Sequence, residues 1–136
     1  MRKLVITLCL IVIVILGGLL WWNIPTSITN ISPSEVSKIE ICDGSTGKIT
    51  RITDELAIEH IIENLNATSI KKEDFSLLGW MGYSFSTTIY KIDDSVYKKF
   101  IINSGNTIRK GQFLYRTSSG KVDYEYIKNL IRSKTK

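Results

Sequence analysis

LVITLCLIVIVILGGLL, residues 4–20, carries no charged side chain and is followed at once by Trp21 and Trp22. As a helix rising ~1.5 Å per residue, residues 4–22, with Leu4 at one end and Trp22 at the other, reach roughly 28 Å. That is close to the ~30 Å hydrocarbon core of a bilayer. Each Leu, Ile and Val at mid-membrane favours insertion by ~0.3–0.6 kcal/mol. Thr7 can bond its hydroxyl to a carbonyl one turn back, and Cys9 behaves there as a small apolar residue. The β-branched richness weakens a helix in water. In lipid the helix wins, because a lone spanning segment must satisfy its backbone polar groups internally.

Arg2 and Lys3 precede the run, and the next basic residue is Lys38. By the positive-inside bias this predicts a cytoplasmic N-terminus at residues 1–3 and everything after the helix outside the cell. A cleaved signal peptide wants small residues in an A-x-A-like arrangement after the apolar core. Gly17 and Gly18 lead instead into Leu and Trp. A lipidation site is disfavoured because Cys9 lies inside the apolar core behind Leu8. An uncleaved anchor in the bilayer is therefore expected, ahead of a signal peptide and of a buried helix in a soluble protein.

The chain has 136 residues and a formal net charge of +5. What remains beyond the anchor is enough for one domain and too little for two. Its single cysteine, Cys42, allows no internal disulfide. Charge is uneven: residues 23–66 hold three basic and seven acidic side chains, and residues 67–136 hold thirteen basic and six acidic. Surface solvation accounts for most of that. The sharper reading is a basic part facing an anionic surface, such as lipid headgroups or wall polymer.

Residues 23–36 are rich in Asn, Ser and Thr, include Pro25 and Pro33, and read as a linker. The domain is expected at 37–133, with a tail at 134–136. Residues 38–42 alternate polar and apolar, 43–47 are dense in turn formers, and 48–52 return, which predicts a β-hairpin with Ile39 and Ile41 inward and Cys42 outward beside Glu40. Thr53 or Asp54 caps the next helix. Its buried face is Ile58, Ile61, Ile62 and Leu65, its acidic row is Glu55, Glu59 and Glu63, and Asn64 and Asn66 mark its end. A strand over 67–72 and a loop over 73–79 follow. Three strand-like runs come next, at 80–91, 96–102 and 107–117, the last broken or bulged at Lys110 and Gly111. A final helix buries Tyr124, Ile127, Leu130 and Ile131, and its Lys-rich end complements its dipole. The fold class predicted is α+β: an antiparallel β-meander sheet packed against two helices, preceded by one transmembrane helix.

Candidate chemistry is sparse. Ser45-Thr46-Gly47-Lys48 fails the phosphate-loop spacing, because Cys42 stands where a glycine is needed and Ile49 where Ser or Thr is needed. His60 is the only histidine, and a metal site would need more nitrogen or sulfur ligands. Glu55, Glu59 and Glu63 lie in a row rather than converging, as a solvated face does. A Cys42–His60 nucleophile pair requires strand and helix to bring the two together. The sequence thus offers no catalytic, cofactor-binding or metal residues, no cofactor and no nucleic-acid partner. The aromatics Trp80, Tyr83, Phe85, Tyr90, Tyr97, Phe100, Phe113 and Tyr115 are mostly core, with a remainder suggesting a partly exposed aromatic surface.

The pattern Lys38-Ile39-Glu40-Ile41, Gly47-Lys48, Thr53-Asp54, the Ile-rich helix and Gly79-Trp80 with Tyr83 resembles a group of uncharacterised, small exported or membrane-anchored single-domain proteins of low-GC Gram-positive bacteria. The likeness covers residues 37–132 and departs from the lipoprotein members at the anchor, which lacks a lipobox. It implies an extracytoplasmic single domain and brings no activity or functional residues. The function expected is a membrane-tethered extracytoplasmic binding or sensing module without catalytic activity, its partner a protein or cell-wall component. The alternative is an immunity or inhibitor protein that neutralises a toxin or hydrolase at the membrane. An enzyme using Cys42 or His60 is third.

Overall fold

The computed structural model describes residues 1–76, 82 and 84–134. The apolar run forms helix α1 (Arg2–Asn23), with no residue buried against the rest of the chain. By length and composition it can span a membrane or serve as a signal sequence. The Thr7 hydroxyl bonds the Lys3 carbonyl at 2.9 Å, as its place in an apolar helix requires.

The chain then runs through β1 (Thr26–Ser27), a 3₁₀ turn (Pro33–Glu35), β2 (Val36–Asp43), β3 (Ile49–Ile52), α2 (Glu55–Ala67) and β4 (Ser69–Phe75). It continues through β5 (Phe85–Lys91), β6 (Val96–Ser104), β7 (Thr107–Lys110), β8 (Phe113–Ser119) and α3 (Tyr124–Ser133). All eight strands join one antiparallel sheet in the order β1-β4-β8-β7-β6-β5-β2-β3. The α+β class, the meander and the two packed helices are as predicted. The meander is β5 to β8. The β2–β3 hairpin extends one side of it and β4 the other, so α2 carries the chain from one edge of the sheet to the far side.

One sheet face meets both helices. Ile39, Ile41, Ile52, Ile89, Ile102 and Ile108 from the strands are almost fully buried with Ile58, Ile61, Ile62 and Leu65 of α2 and Ile127 and Ile131 of α3. Period-2 alternation on strands and 3.6-residue periodicity on helices converge on this single core. The Asp54 side chain caps α2 through the Ala57 amide, and Asp123 caps α3 through Tyr126.

Three expectations need correction. The run at 107–117 is two strands rather than one with a bulge. Gly111 has φ +59° at the first of two turn positions, which reverses the chain so that Lys110 pairs with Phe113. The strand after α2 extends to Phe75, into the expected loop, because β8 pairs with it along its length. The residues placed in a linker are part of the domain. Ile28 and Ile31 are 3% and 7% exposed, and Thr26 and Ser27 pair with Ile70 and Ser69. Asn66 ties this segment down: its Oδ1 accepts from Thr29 Oγ1 (2.8 Å) and the Ile31 amide, and its Nδ2 donates to the Ile31 carbonyl (2.8 Å). Lys98 Nζ donates to the Ile28 carbonyl at 2.6 Å. A run of Asn, Ser and Thr reads as solvated unless its partners, tens of residues away, are known. The expected strand start at Trp80, and Tyr83, fall outside the described residues.

Asn66→Ala removes three hydrogen bonds and strands the buried Thr29 hydroxyl, so stability should fall by about 2–3 kcal/mol. Denaturant unfolding of the full chain in detergent measures this. An unchanged midpoint would show that the 26–36 segment is not held by α2.

Candidate functional site

The strand register separates Cys42 from His60. Cys42 stands opposite Ser86 and Ile49, in the row turned away from the helices. His60 lies on α2, with Nε2 3.0 Å from Asp123 Oδ2 and its ring 4.0 Å from that of Tyr126. The two are on opposite sides of the sheet, so they form no nucleophile–base pair. His60 instead joins α2 to the start of α3. Glu55, Glu59 and Glu63 stay exposed along α2. Among the described residues, no group of three or more His, Cys, Asp or Glu side chains is placed to hold a metal.

The β2–β3 turn builds one wall of a pocket. Asp43 Oδ1 accepts from the Ser45 amide (2.8 Å) and the Ser45 hydroxyl (2.6 Å), and the Asp43 carbonyl accepts from the Gly47 amide (2.7 Å). Gly47 supplies the φ of +71° that the turn requires, which is the ordinary use of its glycine. The Ser45 bonds hold the Asp43 carboxyl below the usual aspartate range. Opposite this turn, α3 contributes Tyr124, Lys128 and Arg132, and β5 contributes Ser84 and Phe85 at its start. The pocket, open to solvent on one side, has a volume of about 160 Å³. Phe85 and Tyr124 stack with centroids 5.1 Å apart. Asp43 carries no ion pair among the described residues, and Lys128 reaches only its neighbour Glu125 at 3.3 Å.

Behind Ser84 lies the one buried charged side chain among the described residues. Arg109, 5% exposed, occupies the row Cys42, Ser86, Ile101, Arg109, Leu114 on the face away from the helices. Its Nη2 donates to Ser84 Oγ (2.7 Å) and its Nε to Asn103 Oδ1 (2.8 Å), while Ser84 Oγ donates to Asn103 Oδ1 (2.6 Å). No carboxylate is within ion-pair reach among the described residues, and none of residues 77–83 is acidic. An arginine remains charged under such conditions, so two neutral partners solvate a full cation. Alternation in a strand predicts which face a residue takes, but not that an arginine there is buried. No signal in the sequence pointed to this trio.

Beside it, Glu40 accepts from Arg51 Nε (2.9 Å) and from the Tyr90 hydroxyl (3.0 Å), and Lys38 Nζ sits 4.7 Å from the Tyr90 ring while bonding Asp94 at 2.9 Å. This face also carries exposed Lys71 and Lys99, which have no ion pair among the described residues, and Arg116, whose Nε donates to Glu73 Oε1 at 2.6 Å. Its basic excess thus rests on the two lysines and buried Arg109.

The aromatics divide between core and anchor. Phe85 and Phe100 are buried. Phe113 lies 6.2 Å from Trp21, 6.0 Å from Trp22 and 5.1 Å from Phe75. Lys72 Nζ sits 3.8 Å above the Trp21 ring, an attraction of about 0.5–2 kcal/mol. Phe113 thus meets the end of α1, whereas Tyr90 bonds Glu40 on the sheet face away from the helices and Tyr97 accepts from the Asn30 amide. Trp80 and Tyr83 lie outside the described residues.

Compared with known protein families, curated proteins and solved structures, the chain matches none. The likeness to exported Gram-positive domains gains no support there, and the function rests on geometry.

Arg51, followed by Tyr90, holds the Glu40 carboxyl below the ordinary glutamate range. A group whose pKa is lowered on folding contributes stability above its unfolded value, near 4.5 here, and loses it as pH falls through the folded value. Since Arg51 is largely exposed, the pair is worth no more than ~1 kcal/mol. Glu40→Gln should thus cost up to that amount at pH 7 and nothing once wild-type Glu40 is protonated. Thermal melts from pH 7 to pH 3 read the convergence; a gap that stays constant with pH would refute the assignment.

Proposed function

We propose that this protein is a non-catalytic binding module tethered to the outer surface of a membrane, with α1 as an uncleaved anchor and the domain outside the cell. The observation that carries this reading is the seat of the domain on the helix end. Only Ile24 and Pro25 separate α1 from β1, and Trp21, Trp22, Phe75, Phe113 and Lys72 pack together across that joint. Paired tryptophans at a helix end suit the headgroup layer, and a lysine on a tryptophan ring adds a cation where lipid phosphates lie. Arg2 and Lys3 at the other end favour the outward orientation of the domain.

Such a joint holds the domain at one height and attitude. Phe75, Lys110 and Phe113 share the strand ends nearest Trp21 and Trp22, which on this reading face the bilayer, while Asp43, Ser84 and Ser104 stand at the opposite strand ends. The basic face is offered sideways to an anionic partner, a protein or a wall polymer. Its Lys71 and Lys99 are outside any ion pair among the described residues, while Arg51 and Arg116 are paired to Glu40 and Glu73. The inhibitor reading draws on the same asymmetry, because exposed Glu55, Glu59 and Glu63 on α2 oppose that basic face and would suit a partner with a charge-polarised surface.

Two measurements on the full chain in intact cells test this. In a Cys42→Ala background, Lys48→Cys should react with a membrane-impermeant maleimide without lysis; reaction only after lysis would overturn the orientation. A photo-crosslinking residue at position 51 should give one discrete adduct, which a charge-reversing Lys99→Glu change reduces at least roughly threefold. Adducts unaffected by that change, or none, would refute the basic face as the binding surface. A soluble toxin or hydrolase in that adduct, inhibited one-to-one, would select the inhibitor reading.

A further inference from the structure

We propose that the pocket between the β2–β3 turn and α3 binds a small free zwitterion of the α-amino acid class. This goes beyond the tethered-module reading, which concerns the basic sheet face. It rests on that reading only in placing the pocket away from the bilayer.

Size limits the ligand first. About 160 Å³ is the volume of roughly five waters, below the ~300 Å³ at which drug-sized pockets begin. A small amino acid fills such a volume, and the pocket is open to solvent on one side. Charge limits it next. The pocket has an anion on one wall and cations on the other, Asp43 against Lys128 and Arg132, and these do not pair with each other. Opposite charges that face one cavity without neutralising one another can be satisfied together by a ligand carrying both signs. An ammonium group goes to Asp43, and a carboxylate goes to Arg132 and Lys128. Asp43 stays ionised because the Ser45 amide and hydroxyl both donate to it.

The third constraint is the apolar wall. The Phe85–Tyr124 stack lines the cavity and leaves room for a short aliphatic side chain. Ser84 is a positioning residue. Its hydroxyl proton goes to Asn103 and it accepts from Arg109, so the start of β5 is held rigidly. The Gly44 amide donates to the Ser84 carbonyl at 2.9 Å, which ties the turn carrying Asp43 to the same strand. Two of the three walls are therefore preorganised before a ligand arrives.

A lipid headgroup that carries both charges has similar chemistry, but the strand polarity puts this pocket at the opposite strand ends from Trp21, Trp22 and Phe113. The free solute is the better occupant.

The test is a calorimetric or NMR titration of the full chain in nanodiscs with alanine, propionate and ethylamine. Alanine should bind saturably with a Kd on the order of 1 mM, and each half-ligand at least roughly tenfold more weakly. Asp43→Asn keeps the turn, because the amide oxygen can still accept from Ser45. It should weaken alanine about tenfold and leave propionate unchanged. Arg132→Gln should weaken alanine similarly and leave ethylamine unchanged. Circular dichroism of each variant checks the fold. No saturation by alanine at about fifty times the expected Kd, or saturation insensitive to both substitutions, overturns the proposal. Either result leaves the labelling and crosslinking tests of the tethered module untouched.

Discussion

Only two residues, Ile24 and Pro25, connect a helix able to cross a bilayer to a strand of the sheet. A tether that short would leave a domain swinging if nothing else touched the helix. Here the lysine and aromatic contacts at Trp21, Trp22, Phe75 and Phe113 remove that freedom. The segment after β1 continues the restraint, since Ile28 and Ile31 enter the core and Asn66 closes over their backbone. From β1 to α2 the chain is one packed unit, and the ring contacts of Trp21 and Trp22 bring the end of α1 against its edge.

The parts of the fold that were legible in the sequence are those in which local pattern and global packing agree. Ile39 and Ile41 alternate with Glu40 and Cys42, and Ile58, Ile61, Ile62 and Leu65 recur at helical spacing. A period of two or of 3.6 names a buried face without knowledge of the partner. The cap at Asp54 is likewise local, whereas the Asp123 cap of α3 was not anticipated. The linker reading of residues 23–36 failed for the opposite reason. Its polar residues are satisfied by Asn66, Tyr97 and Lys98, far along the chain, and two isoleucines three apart give too little periodicity to reveal burial. The 107–117 run failed at Gly111 because a glycine permits a bulge and a reversal equally well. Only the pairing of Lys110 with Phe113 decides between them.

The candidate site was almost illegible for a related reason. Asp43, Ser45, Ser84, Lys128 and Arg132 are ordinary turn and helix-surface residues, each with a sufficient local explanation. Asp43 forms an Asx turn, and Arg132 sits where a cation complements the α3 dipole. Their convergence follows from the antiparallel order of β2 and β5 and from the path of α3 back across the same face. Arg109 is the sharper case. In sequence it is one of eighteen basic residues, yet the fold buries it beside Ser84 and Asn103.

That burial bears on how the pocket and the basic face relate. A guanidinium solvated only by a hydroxyl and an amide projects most of its charge into its surroundings, because neither neutral partner cancels it. Arg109 lies in the row facing away from the helices, and its contact with Ser84 brings it against the strand that lines the pocket on the other side. Its charge lies between Lys71 and Lys99 on one side and Arg132 on the other, since Arg51, Arg116 and Lys128 are paired with Glu40, Glu73 and Glu125. A negatively charged group approaching either surface feels the same buried cation. Asn103, which accepts from both Arg109 and Ser84, sets the distance between that cation and the pocket wall. The two surfaces are physically distinct, and a single buried guanidinium lies between them.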